Sequence, residues 1–79
     1  MRTEINNYII IDNDICEGAP VFKGTRIMVW QILELLGEGI SIDEIIKDYF
    51  PQITKPAILS VLLYASKVIG EERYVLFQK

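Results

Sequence analysis

The segment Gly18-Ala19-Pro20-Val21-Phe22-Lys23-Gly24-Thr25-Arg26-Ile27 divides this chain into an extended part and a helical part, and any fold must be built around it. Pro20 opens a short strand without losing a needed donor, Val21 and Phe22 favour extended backbone, and Gly24 allows a positive φ where a side chain would clash. The expected product is a tight hairpin ahead of a helical bundle. Upstream, Tyr8-Ile9-Ile10-Ile11 is β-branched and aromatic, and Asp12-Asn13-Asp14 follows with side chains that bond nearby backbone, which predicts a strand and then a turn.

From Met28 the period changes. Val29, Ile32, Leu33, Leu35 and Leu36 fit one face of a helix over about 28–38, and Gly37 and Gly39 supply its stop. Ser41-Ile42-Asp43-Glu44 is a capping box that starts a second helix. That helix is about two turns long, because Pro51 disfavours helical geometry at Phe50, and its buried side is Ile42, Ile45, Ile46 and Tyr49. Thr54 caps a third helix with Pro56 in its first turn, and the pattern runs to about Ile69 before Gly70. These elements predict a mainly α fold with helix-turn-helix spacing, preceded by a short N-terminal β-hairpin.

The third helix is apolar almost all round: Ile58, Leu59, Val61, Leu62, Leu63, Tyr64, Ala65, Val68 and Ile69 leave only Pro56, Ser60 and Lys67 as a polar stripe. Such a helix is expected to be buried on two sides, against its own domain and against a second subunit. Beyond Gly70, Glu71-Glu72-Arg73 leads into Tyr74-Val75-Leu76-Phe77, a candidate C-terminal strand or docking tail. Leu59, Leu63, Tyr74, Leu76 and Phe77 are therefore the candidate protein-interface residues.

A chain of 79 residues has room for one domain, read here as a β element over 8–27, a bundle over 28–70 and a tail over 71–79. An apolar content of 51% excludes a disordered chain and is high for a lone small domain, which again predicts a homo-oligomer, most simply a dimer. No apolar run approaches the ~20 residues that span a bilayer, and Met1-Arg2-Thr3-Glu4 lacks the order of a secretion signal, so the expectation is a cytoplasmic protein. The single Cys16 agrees with a reducing compartment.

The sequence argues against catalysis. With no histidine, Ser-His and Cys-His chemistry and histidine metal ligation are closed to a single chain, and no cofactor motif is present. Asp12, Asp14 and Glu17 lack calcium-loop spacing, since Gly18 comes one position late and Lys23 stands where a bidentate glutamate belongs; turn formation explains the aspartates better. Cys16 has acidic neighbours and reads as a small buried side chain and not a nucleophile. Gly24-Thr25-Arg26 could receive an anion, but the pattern is short, and pairing of Arg26 with Asp12 or Asp14 is the favoured reading. A formal charge of −3 excludes a general polyanion binder, so any DNA contact must come from a local set of cations.

Ile11-Asp12, Gly18-x-Pro20, Gly24-Thr25-Arg26-Ile27, the helix from Ile32-Leu33 to Gly39, Ser41-x-x-Glu44-Ile45, Phe50-Pro51-x-Ile53-Thr54 and the helix holding Leu62 and Tyr64-Ala65 together resemble a small prokaryotic family. It is catalogued as domain of unknown function 433, and the likeness spans about Ile9 to Lys67. Asn13 and Met28 stand where that family often has proline. The resemblance implies a three-helix, homeodomain-like or winged-helix-like module with an antitoxin-like role. Its implied partners are a PIN-like ribonuclease toxin and operator DNA. On that reading Lys55, Ser60 and Lys67 of the third helix face groove or phosphate, and Lys23 and Arg26 touch the backbone. The alternative is an oligomeric protein-interaction module without DNA binding, in which the apolar third helix and the tail are the contact surfaces.

Overall fold

The computed structural model describes the backbone of residues 1–77 and the side chains of residues 1–71. Strands β1 (Arg2–Glu4), β2 (Ile9–Asp12) and β3 (Val21–Phe22) form one antiparallel sheet in the order β1-β2-β3. Helices α1 (Val29–Gly37), α2 (Ile42–Glu44) and α3 (Lys55–Phe77) follow, with α2 continued by a π-helical turn, Ile45–Tyr49.

This overturns the expected mainly α, homeodomain-like bundle with one short hairpin: the fold is mixed α/β, 52% helical, with a three-stranded sheet. The physical reason lies in β1. Arg2-Thr3-Glu4 carries no apolar residue, yet it completes a ladder on β2 in the register Arg2↔Asp12, Thr3↔Ile11, Glu4↔Ile10. Its pairing comes from the open edge of a neighbouring strand and not from its own propensity. The turn at Gly24 (φ +80°) does fold the chain back, with Phe22 N–H donating to the Ile27 carbonyl at 3.0 Å, but only a single bridge, Val21↔Met28, follows from it.

Strand β2 is buried on both faces at Ile9 and Ile10 and half-buried at Ile11 and Asp12. Ile9 and its partner Phe22 point into the main core with Ile27, Val29, Ile32, Ile45, Ile53, Ala57, Ile58 and Val61. Ile10 and its partner Val21 point the other way and are buried too, on the side where the left-handed turn Cys16–Gly18 packs against β2. In that turn Cys16, Glu17 and Gly18 all have positive φ (50°, 57° and 84°), two of them without the freedom of glycine. The Asp12 carboxylate accepts the Asp14 amide at 2.9 Å, the expected aspartate turn.

The helix boundaries follow the local chemistry. Gly39 (φ +90°) ends α1 as its amide donates to the Leu36 carbonyl at 3.0 Å and the Ile40 amide to the Leu35 carbonyl at 3.1 Å, the paired bonds of a glycine-terminated helix. The Ser41 hydroxyl accepts the Glu44 amide at 3.1 Å and the Glu44 carboxylate accepts the Ser41 amide at 3.4 Å, so the capping box forms. Phe50 leaves helical geometry ahead of Pro51, and Thr54 Oγ1 accepts the Ala57 amide at 3.3 Å to start α3.

Gly70 does not stop α3, and the candidate C-terminal strand is a helical extension instead, continuing to Phe77. Gly70 has no positive φ, and a glycine within a helix costs only about 1 kcal/mol against alanine, which the helix-forming Glu71, Glu72 and Arg73 tolerate.

Candidate functional site

Helix α3 supplies both a wall of the core and the main exposed apolar surface. Ala57, Ile58 and Val61 in its first half are buried against the sheet and α1, whereas Leu59, Leu62, Leu63, Val68 and Ile69 stay open, Leu63 at 74% and Ile69 at 61% exposure. The row Ala57, Val61, Tyr64, Val68 is spaced by four, three and four residues and so lies along one side of the helix. Its first members are covered by the domain, whereas Val68 is left 44% exposed beside two open grooves.

Two open depressions flank this part of α3. Between α1 and α3 lies an apolar groove of about 240 Å³, walled by Pro20, Trp30, Leu33, Tyr64, Val68 and Ile69. Between the β1–β2 turn and α3 lies a larger one of about 610 Å³, lined by Ile5, Tyr8, Leu63, Tyr64, Lys67 and Val68 among others. Val68 borders both. Trp30, half-exposed on α1 with its indole N–H donating to Met28 Sδ at 3.3 Å, adds the largest single apolar side chain to the first groove. Its place next to Val29, off the inward face of α1, was the sequence signal that would have found it.

The candidate interface residues thus divide. Leu59 and Leu63 are exposed on α3 as a contact surface requires. Tyr74, Leu76 and Phe77 lie outside the residues whose side chains are described.

The candidate nucleic-acid residues do not form one site: Ser60 and Lys67 line the larger groove and Lys23 and Arg26 another depression. Lys55 is exposed at the start of α3, while Ser60 donates its hydroxyl to the Ala57 carbonyl at 2.7 Å, a bond within its own helix. Lys67 borders the larger groove in the company of Glu4 and Glu71. Lys23 and Arg26 share a separate depression of about 420 Å³ with Arg2, a cation outside the candidate set. There Lys23 Nζ lies 3.2 Å from Glu4 Oε2. This is the one salt bridge among the described residues, so the expected pairing of Arg26 with Asp12 or Asp14 does not form. The Cys16 thiol donates instead to the Arg26 carbonyl at 3.6 Å.

Among the described residues no three His, Cys, Asp or Glu side chains come together to hold a metal ion, and no helix is long and apolar enough to cross a membrane. A family model described as Protein of unknown function (DUF433) matches residues 9–65. No curated protein and no solved structure matches.

Proposed function

The chain belongs to the DUF433 family, and on that premise we propose that it is an antitoxin-like binding module that captures a PIN-like ribonuclease toxin and has no catalytic role of its own. The observation that carries this reading is the apolar flank of α3: Leu63, Val68 and Ile69, together with Trp30 across the groove, form a surface that water covers poorly and a partner covers well. The family resemblance supplies the partner class, and charge supports it. A nuclease that grips RNA presents cations, and a chain with a formal charge of −3 meets them favourably. The module works as a homo-oligomer.

The test is inhibition. Purified chain added to a PIN-like ribonuclease from the same genome stops RNA cleavage near equimolar ratio, and Leu63→Glu with Ile69→Glu releases the inhibition while the circular dichroism spectrum stays the same. Inhibition that survives both substitutions removes α3 as the capture surface.

Operator binding, the other activity that the resemblance implies, rests on one feature. Arg2, Lys23 and Arg26 around a single depression offer a phosphate backbone three cations on one side. The remaining candidates, Lys55, Ser60 and Lys67, lie apart on α3, and for that reason capture of a protein is the primary reading.

A further inference from the structure

Strand β1 is an open edge. The far edge of the sheet is covered where Val21 bridges to Met28, but β1 is exposed at all three residues and, among the described residues, pairs with β2 alone. The ladder between them determines which groups that edge presents. The Asn13 amide donates to the Met1 carbonyl at 3.3 Å and the Ile5 amide to the Ile9 carbonyl at 2.9 Å, at either end of the register Arg2↔Asp12, Thr3↔Ile11, Glu4↔Ile10. Hydrogen-bonded and non-hydrogen-bonded pairs alternate in an antiparallel ladder, so Thr3 bonds to β2 whereas the amides and carbonyls of Arg2 and Glu4 point outward.

We propose that β1 pairs antiparallel with β1 of a second copy about a two-fold axis at Thr3, so that Arg2 of each copy lies opposite Glu4 of the other. The proposal rests on the homo-oligomer in the functional reading and locates its contact. Charge and ladder geometry select the same register. With Arg2 opposite Glu4, the outward amides and carbonyls meet their counterparts, Thr3 faces Thr3, and each Glu4, which already holds Lys23 of its own copy at 3.2 Å, takes the other copy's Arg2 as a second cation. A slip of one residue sets outward groups against the inward-bonded Thr3 and makes no ladder. A slip of two sets Arg2 against Arg2 or Glu4 against Glu4. Charges on an edge strand ordinarily keep other strands away; here, with opposite signs two residues apart, they favour one self-pairing. The product is a continuous six-stranded sheet with an isologous interface, leaving the flank of α3 free for a different partner.

The full chain tests this by light scattering over rising concentration and by amide exchange. The mass is expected to rise from 9.1 kDa to twice that value. Exchange at the Arg2 and Glu4 amides slows over the same range. In a Lys23→Ala background, which removes the cation 3.2 Å from Glu4 in its own copy, Glu4→Arg sets Arg2 against arginine and weakens association about tenfold or more, and adding Arg2→Glu restores it, because the swap recreates both opposite-charge pairs. Association unaffected by Glu4→Arg, or Arg2 and Glu4 exchange that is independent of concentration in the unsubstituted chain, overturns the proposal. Its failure is separable from failure of the capture role: a chain that inhibits the ribonuclease while staying at 9.1 kDa rejects the edge pairing and the homo-oligomer and keeps capture, and a dimer that leaves the ribonuclease active rejects capture and keeps the pairing.

Discussion

Val61 and Val68 lie two turns apart on the same row of α3, yet Val61 is fully buried and Val68 is 44% exposed. The helix thus passes from core element to free surface between them, and the two ends of one row answer to different demands. Ile58→Ala, in the covered half, should lower stability by about 2–5 kcal/mol through lost burial and a cavity. Val68→Ser should change it by less than about 0.5 kcal/mol, as surface substitutions usually do, and should still weaken capture of the ribonuclease. Urea unfolding of the two variants checks the division; equal losses would contradict it.

Ser41→Ala removes the acceptor for the Glu44 amide at the start of α2. A lost cap of this kind costs about 1 kcal/mol, and in a domain this size that lowers Tm by roughly 4–8 °C. Calorimetry provides the measurement, with Ser41→Asp as the control that keeps a capping oxygen and most of the stability.

Gly70→Ala should stabilise. Among the described residues an added Cβ meets nothing within 4 Å, Gly70 has no positive φ, and α3 continues through it. Replacing a helical glycine by alanine gains about 0.5–1 kcal/mol. The helical circular dichroism signal and the Tm should rise together, and a fall in either would mean that the chain needs glycine there for another conformation.

Arg26 is an exposed cation of the Arg2, Lys23 and Arg26 depression. If duplex DNA is held there, Arg26→Ala should weaken binding at every sequence and reduce the salt slope by about one per subunit. Titrations at several salt concentrations measure the slope directly. Identical slopes for both proteins would exclude Arg26 from any operator contact.

Much of the helical half was legible because its signals are local. Ser41 and Glu44 define a helix start by their own hydrogen bonds, and Pro51 ends one by its ring. Strand β1 was not legible, since Arg2-Thr3-Glu4 becomes a strand only where β2 offers an edge. The stop expected at Gly70 failed for a related reason. Gly39 and Gly70 are the same residue type, but Gly39 is followed by Ile40 closing the turn onto Leu35, and Gly70 by three good helix formers. The apolar character of α3 was plain, but its division into covered and open sides was not. Ile58, Leu59, Leu62 and Leu63 are chemically alike, and only the placement of the sheet and α1 decides which of them the domain encloses.

Ile9 and Ile10 are neighbours on β2 that face opposite ways, and neither reaches solvent. A strand anchored in both directions and flanked by ladders on each side has nowhere to begin fraying. Its protons should be the last to yield to deuterium, and they should do so only when the whole molecule comes apart. The slowest-exchanging protons are therefore expected at Ile9 and Ile10 of β2, and a partner can engage the part of α3 beyond Val61 while Ala57, Ile58 and Val61 stay seated in the core.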